Sequence, residues 1–179
     1  MSEGGGVAIW LTGLPASGKT TIAQAAASRL RDFGARVEVL DGDEVRKVLS
    51  AGLGFSRSDR EANVERIAWV AGLLVRCGVI VLVAAISPFR GGRDKAREAI
   101  GAFVEVHVST PLAVCEARDP KGLYARARRG ELAEMTGVGQ VYEEPLYPEL
   151  RIDTSVMNIE DAVCEIMAAA GYSLEGRLE

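Results

Sequence analysis

Apolar and polar positions along the chain follow two alternating periods, and the switches between them outline the fold. Val7-Ala8-Ile9-Trp10-Leu11-Thr12 is a short apolar run of strand length that ends in glycine. The stretch from Thr20 to Phe33 is alanine-rich and closed by Gly34, so the opening reads as strand, loop and helix. Arg36 to Leu40 predicts a second strand, broken by Asp41-Gly42-Asp43, a turn in which Asp43 is placed to cap the next helix. Ser58 with Glu61 predicts a capping box, and Val64, Ile67, Ala68, Ala71, Leu74 and Val75 supply the apolar face of the long helix it opens, with Gly78 as its stop.

Val79 to Ile86 is apolar at every position, as a strand covered on both faces should be. A helix is expected over Arg93 to Ile100 and a fourth strand over Phe103 to Val108. Thr110-Pro111 predicts an N-cap and first-turn proline for a helix reaching about Arg118. Gly122 to Gly130 reads as a short arginine-rich helix, Leu150 to Asp153 as a fifth strand, and Asn158 with Asp161 as the start of a last helix ending near Gly171. Strands that alternate with helices imply parallel pairing through crossovers. The expected fold is therefore α/β, a doubly wound three-layer sandwich with a mostly parallel sheet of about five strands.

Composition narrows this picture. The 179 residues suit a single domain over 1–179, and 48% hydrophobic with 26% charged residues excludes a disordered or collagen-like chain. No apolar run approaches the roughly 18 residues that a membrane span requires. The start lacks a basic stretch followed by an apolar one, so secretion is not expected. Cys77, Cys115 and Cys164 are odd in number and widely spaced, and His107 is the sole histidine, which argues against a disulfide scaffold or a zinc site. The cytoplasm is the default compartment. The formal net charge of −4 conceals an uneven distribution: residues 1–142 hold 19 cations and 16 acids, and 143–179 hold 2 cations and 9 acids. An extended polyanion such as nucleic acid is not expected, but small anionic ligands are.

Gly13-Leu14-Pro15-Ala16-Ser17-Gly18-Lys19-Thr20 matches G-x-x-x-x-G-K-[ST] between an expected strand and helix. Glycines at those positions let backbone N–H groups turn inward around phosphate oxygens at the positive end of a helix dipole. Lys19 is positioned to reach the β and γ phosphates, and the Thr20 hydroxyl to ligate Mg²⁺. The loop alone does not say whether the γ phosphate goes to water, to a substrate or nowhere. Asp41 and Asp43 follow a strand directly, at the end where open parallel sheets bind ligands. One carboxylate there could hold a Mg²⁺-bound water and the other accept a proton from an attacking hydroxyl.

Arg46 shares a helix face with Asp43 and is suited to an anionic substrate. Phe55, Arg60 and Asn63 offer an aromatic face, a guanidinium and an amide, the groups that an adenine-like ring and a sulfate or phosphate would use. Ser87-Pro88-Phe89-Arg90 leaves the central strand on the crevice side. Arg118, Lys121, Arg126, Arg128 and Arg129 put five cations in twelve positions. Such a run is either a solvated helix face or a lid that shields the reaction and neutralises the moving phosphoryl group.

In combination these blocks resemble the adenylyl-sulfate kinases, which are P-loop kinases with a helical lid. The resemblance rests on Gly13 to Thr21, Leu40-Asp41-Gly42-Asp43 with Arg46, Leu53-Gly54-Phe55-Ser56 with Asp59-Arg60 and Asn63, Ile86-Ser87-Pro88-Phe89-Arg90, Arg118 to Tyr124, and Tyr142-Glu143 with Pro145. It runs from about Val7 to Asp153, with the lid at about 118–142. It implies transfer of the ATP γ phosphate to the 3′-hydroxyl of adenosine 5′-phosphosulfate, with Mg²⁺ accompanying ATP.

The same resemblance implies ATP binding by Gly13 to Thr21 (including Leu14, Pro15, Ala16, Ser17 and Gly18) and by Arg118. Substrate-binding roles fall on Asp43, Arg46, Phe55, Arg60, Asn63, Ile86, Ser87 and Lys121, and catalytic ones on Lys19, Asp43 and Ser87. It further implies a homodimer, and leaves open whether the protein works alone or in functional association with ATP sulfurylase. The family marks Ser87 as a phosphoserine intermediate, whereas direct in-line transfer with Ser87 positioning substrate is preferred on physical grounds, since loop, Mg²⁺ and lid can stabilise one loose transition state. Several positions depart from the family pattern: Pro15, Ser109, Glu134-Met135 and Gly139-Gln140-Val141. Met135 stands where an aromatic is frequent, so a thioether is expected as the second wall around the substrate adenine. Two alternatives remain at this stage, another small-molecule P-loop kinase and a non-catalytic nucleotide-binding module partnered with ATP sulfurylase.

Overall fold

In the computed structural model, which describes residues 5–173 and 176–177, the first strand is buried on both faces. Positions 1–4 at the N-terminus and 174–175 and 178–179 of the acidic segment lie outside the described residues. Strand β1 (Val7–Thr12) sends Ile9 and Leu11 into one apolar cluster and Ala8 and Trp10 into the other, as a period of two requires. It is followed by α1 (Lys19–Asp32), β2 (Val37–Asp41), α2 (Gly42–Val48), α3 (Arg57–Arg76), β3 (Ile80–Ala84), α4 (Arg90–Ile100) and β4 (Phe103–Val108). Then come α5 (Leu112–Arg118), α6 (Leu123–Arg128), β5 (Leu150–Ile152) and α7 (Ile159–Ala169). A short antiparallel pair, β6 (Tyr172–Ser173) with β7 (Gly176–Arg177), has no counterpart in the sequence expectation.

The main sheet has the order β2-β3-β1-β4-β5, and every pairing in it is parallel. Ile22, Leu30, Leu82, Ile152, Ile166 and Met167 pack on the face covered by α1 and α7. Val64, Ile67, Ala71, Val81, Val83 and Phe103 pack on the face covered by α3 and α4. Each fully buried side chain of this size contributes about 1.5–3 kcal/mol, so both cores are needed to hold the sheet between its helices. The expected three-layer, mostly parallel sandwich of about five strands is the observed one.

Several helix starts differ from expectation, and α4 begins at Arg90, three residues before the expected Arg93. Helix α3 begins at Arg57 because Ser56 is its cap, its Oγ accepting from the Asp59 N–H at 3.2 Å. The second capping pair, Ser58 with Glu61, is not used: Glu61 pairs with Arg57 at 3.0 Å instead. Helix α2 is capped by Asp41, not Asp43, through bonds from the N–H groups of Asp43 and Glu44 at 2.9 and 3.4 Å. Helix α5 begins after Pro111 with no side-chain cap, because the Thr110 hydroxyl is directed to the phosphate loop. Strand order reverses around β1, which has β3 on one side and β4 on the other, and a crevice opens at the carboxyl ends of the strands there.

Candidate active site

That crevice is a cavity of about 1230 Å³, with the phosphate loop along its floor and α2, α3 and the 118–123 segment around it. Two glycines make the loop possible. Gly13 has φ 154°, and a Cβ there would come within 2.5 Å of the Val108 carbonyl oxygen; Gly18 has φ 101° and packs against Thr154. The loop is braced from behind. The Ser17 carbonyl accepts from Thr110 Oγ1 at 3.1 Å and Thr154 Oγ1 at 2.9 Å, and the Pro15 carbonyl from Tyr124 Oη at 3.0 Å. With its carbonyls engaged, the loop is held in one conformation.

Lys19 is buried and lies along the loop, donating to the carbonyls of Gly13 and Leu14 at 3.0 and 2.7 Å and to Ser17 Oγ at 3.2 Å. Burial pushes its ammonium down to about 8. A phosphate brought into the loop would supply the counter-charge that carbonyls lack. Thr20 Oγ1 donates to Asp41 Oδ2 at 2.6 Å, and the other oxygen of Asp41 is occupied by the α2 N-terminus. This pair fits Mg²⁺, which takes few protein ligands and otherwise keeps phosphate oxygens and water. Among the described residues, no group of three or more His, Cys, Asp or Glu is placed to hold a metal ion.

Asp43, freed from capping, forms an ion pair with Lys121 from the opposite side of the crevice, and this contact raises the Lys121 pKa. Arg46 and Arg60 line the cavity and lie over the Phe55 ring at 4.7 and 5.4 Å from its centroid. Arg46 is fixed by donation to the Gly54 carbonyl at 2.8 Å, Arg60 by donation to the carbonyls of Phe55 at 3.0 Å and Glu134 at 2.7 Å. Phe55 is 54% exposed and lies outside the cavity wall. Asn63 does line the cavity, is 8% exposed, and its Oδ1 has no partner among the described residues. A buried amide acceptor left unpaired costs about 1–3 kcal/mol, a cost removed by a ligand bearing an N–H or O–H.

Ile86 and Ser87 complete this side of the cavity. Ser87 is left-handed, with φ 43°, although it precedes a proline, a combination that costs about 1–3 kcal/mol and persists only where neighbours enforce it. The neighbours are visible. Trp10 Nε1 donates to Ser87 Oγ at 3.0 Å, Thr12 Oγ1 donates to the Ile86 carbonyl at 2.7 Å, and Arg93 Nη1 donates to the Ser87 carbonyl at 2.6 Å. Trp10 therefore does more than pack. His107 lies in the same layer, 5.9 Å from the Tyr142 ring, with Nδ1 facing Arg151 Nη1 at 3.0 Å. An arginine can only donate, so Nδ1 accepts and the imidazole is neutral; burial lowers its pKa to about 4.

At the other end, Arg118 donates to Thr154 Oγ1 and to the Thr154 carbonyl at 2.6 and 2.9 Å, and both residues line the cavity. Pro15, Ala16 and Thr21 also face it; Gly13, Leu14 and Ser17 form the inner side of the loop. Met135 differs from expectation. It is 7% exposed inside an apolar cluster with Cys115, Tyr124 and Ala127, and it is not a cavity wall. An unbranched apolar thioether fills that small core, where Leu14 and Ala16 of the phosphate loop also pack. Arg93, Trp10, Thr110 and Tyr142 have no ligand-binding signature in the sequence, because their partners sit on other elements or loops and only the fold brings them together. Only Thr154 carries a signal, as a hydroxyl directly beyond the last strand.

Residues 5–153 match the family model described as Adenylylsulphate kinase. The adenylyl-sulfate kinase of Rippkaea orientalis is 55% identical over 161 residues, covering 90% of this chain and 89% of that protein. The solved APS kinase CysC of Mycobacterium tuberculosis, in complex with AMPPNP and APS, is 43% identical, with a TM-score of 0.89 and coverage of 92% of this chain and 97% of that one. The hexameric APS kinase of Thiobacillus denitrificans is 37% identical with a TM-score of 0.72, and covers 99% of this chain and 31% of that one. A phosphate loop and a facing wall of arginines, carboxylate and amide thus stand in a chain matched over most of its length by these enzymes, and the chain belongs to the adenylylsulphate kinase family.

Proposed function

We propose that the protein transfers the γ-phosphoryl group of ATP to the 3′-hydroxyl of adenosine 5′-phosphosulfate, giving 3′-phosphoadenosine 5′-phosphosulfate and ADP. The observation that carries the reading is a single cavity with an anion-binding loop on one side and Asp43, Arg46, Arg60 and Asn63 on the other. ATP phosphates lie in the loop between Gly13 and Thr21, with Arg118 and Thr154 at the nucleoside end. Thr20, backed by Asp41, would hold Mg²⁺, which when bound neutralises charge on the phosphates. The acceptor takes the opposite side, its anionic end against the two guanidiniums and its hydroxyl near Asp43. The hydroxyl oxygen attacks phosphorus, its proton passes to Asp43, and the bond to the bridging oxygen of ADP breaks while Lys19 and the cations of the 118–142 lid meet the displaced charge.

Ser87 positions the acceptor in this reading. Its Oγ already accepts the Trp10 N–H and it is 3% exposed, which supports positioning over nucleophilic attack. The reading includes one domain over 1–179 and a homodimer, the latter supported by the hexameric relative only as evidence that members of the family assemble. No helix among the described residues is long and apolar enough to cross a membrane. The test is ADP release by the purified protein with Mg²⁺ and ATP, comparing adenylyl sulfate, AMP and sugar alcohols as acceptors. Release confined to adenylyl sulfate is expected. Equal or greater release with AMP or a sugar would move the protein to another small-molecule kinase, and no release with any acceptor would make it a binding module.

A further inference from the structure

We propose that Arg93 is a positioning residue for the acceptor substrate, its buried guanidinium locking Ser87 in place and joining it to the chain that returns from the lid. The proposal rests on the reading of the cavity given above. Arg93 is on α4, 2% exposed, and does not itself line the cavity. Its three nitrogens serve three different elements. Nε donates to Glu105 Oε1 on β4 at 2.6 Å, Nη1 to the Ser87 carbonyl at 2.6 Å, and Nη2 to the Glu143 carbonyl at 2.7 Å. Its guanidinium carbon also lies 5.8 Å from the centre of the Tyr142 ring.

The Glu143 segment is joined to the Ser87 loop at further points. The Glu143 N–H donates to the Pro88 carbonyl at 2.8 Å, and its Oε2 accepts from the Arg90 N–H at 2.9 Å, at the start of α4. Glu105 is held in turn: Glu149 Oε2 accepts from its N–H at 2.6 Å, and the Glu149 carboxylate takes both Nη groups of Arg97 at 2.7 and 2.8 Å. The arrangement is a strut of alternating charges running from the sheet to the backbone of the acceptor loop. Stability alone does not call for it, because a buried ion pair is commonly no better than an apolar pair of the same volume. A planar fork with donors pointing three ways does what such a pair cannot: it fixes the direction of the Ser87 carbonyl, and with it a left-handed residue whose relaxed state is extended. A shift of about 1 Å in a substrate-positioning loop is enough to cost on the order of 100-fold in rate.

The test uses the full chain and two variants. Arg93→Lys keeps a charge opposite Glu105 but loses the fork, and the double variant Arg93→Met, Glu105→Met replaces the buried pair with apolar groups of similar volume. Steady-state kinetics with both substrates are compared with thermal melting. The expected result is a KM for adenylyl sulfate raised at least tenfold with a lowered kcat, a KM for ATP within twofold of wild type, and a smaller defect for Arg93→Lys than for the double variant. Should the double variant not fold, Arg93→Lys still reads the split between the two substrates. Acceptor constants within twofold of wild type in a folded variant would overturn the proposal, and so would an equal rise in both KM values. A wild-type protein inactive toward adenylyl sulfate would overturn the functional reading instead.

Discussion

Asp41 and Asp43 stand two positions apart and are used differently, because backbone geometry decides which of them faces inward. Asp41 spends one oxygen on the α2 N-terminus and the other on Thr20. Asp43 projects from the first turn and pairs with Lys121, in an ion pair exposed on both sides that contributes little stability. Asp43→Asn is therefore expected to lower kcat by about 10²–10⁴ while leaving the melting temperature nearly unchanged; a kcat within tenfold of wild type would remove Asp43 from proton transfer. The spacing D-G-D shows a pair of carboxylates at a strand end. It does not show which of them caps, since that depends on the φ and ψ of the residue that leaves the strand.

His107 supplies a second test at this scale, and as the chain's single histidine it gives one imidazole signal. Burial lowers its folded pKa to about 4, against 6.5 for an unperturbed imidazole. As pH falls through 6.5 the unfolded chain takes up the proton first, so the stability present in full above that pH is progressively lost toward pH 4. An NMR titration midpoint far below 6.5 is expected, together with a melting temperature that falls between pH 7 and pH 5. His107→Gln, which retains an acceptor for Arg151, should flatten that fall. A midpoint near 6.5 would show that the ring is not held neutral in the core.

At the scale of elements, strands and helices were readable because both faces of β1 and β3 are buried and because glycine stops follow α1 and α3 at Gly34 and Gly78. Their exact starts were not. Ser56-x-x-Asp59 and Ser58-x-x-Glu61 satisfy the same spacing, and the choice falls to Ser56 because Glu61 is drawn to Arg57. Ser56→Ala should cost about 1 kcal/mol in urea unfolding, and Ser58→Ala no more than about 0.5 kcal/mol. The reverse order would move the start of α3 and the seat of Arg60 and Asn63 with it. Thr110 was misread for a related reason: its hydroxyl competes between an N-cap and the Ser17 carbonyl, and the tertiary partner wins.

For the whole molecule, the residues that line the crevice were largely visible in the sequence, while those that hold them in place were not. The phosphate loop, Asp43, Arg46, Arg60, Asn63, Ile86 and Ser87 stand at strand ends or in local motifs, and the structure gathers all of them around one crevice. Trp10 and Arg93 act on partners that only the fold brings to them, and Met135 is turned inward by a lid core that no local pattern announces. The net charge of −4 likewise hides a wall of arginines set against a phosphate loop. In the proposed reaction a phosphoryl group passes directly between two nucleotides across this crevice. This transfer is tested most directly by supplying ATP made chiral at the γ phosphorus with oxygen isotopes, together with adenylyl sulfate and Mg²⁺, and reading the configuration at the product's 3′-phosphate. Inversion is predicted. Retention would show a relay through an enzyme residue such as Ser87, and absence of a labelled 3′-phosphate would contradict the account as a whole.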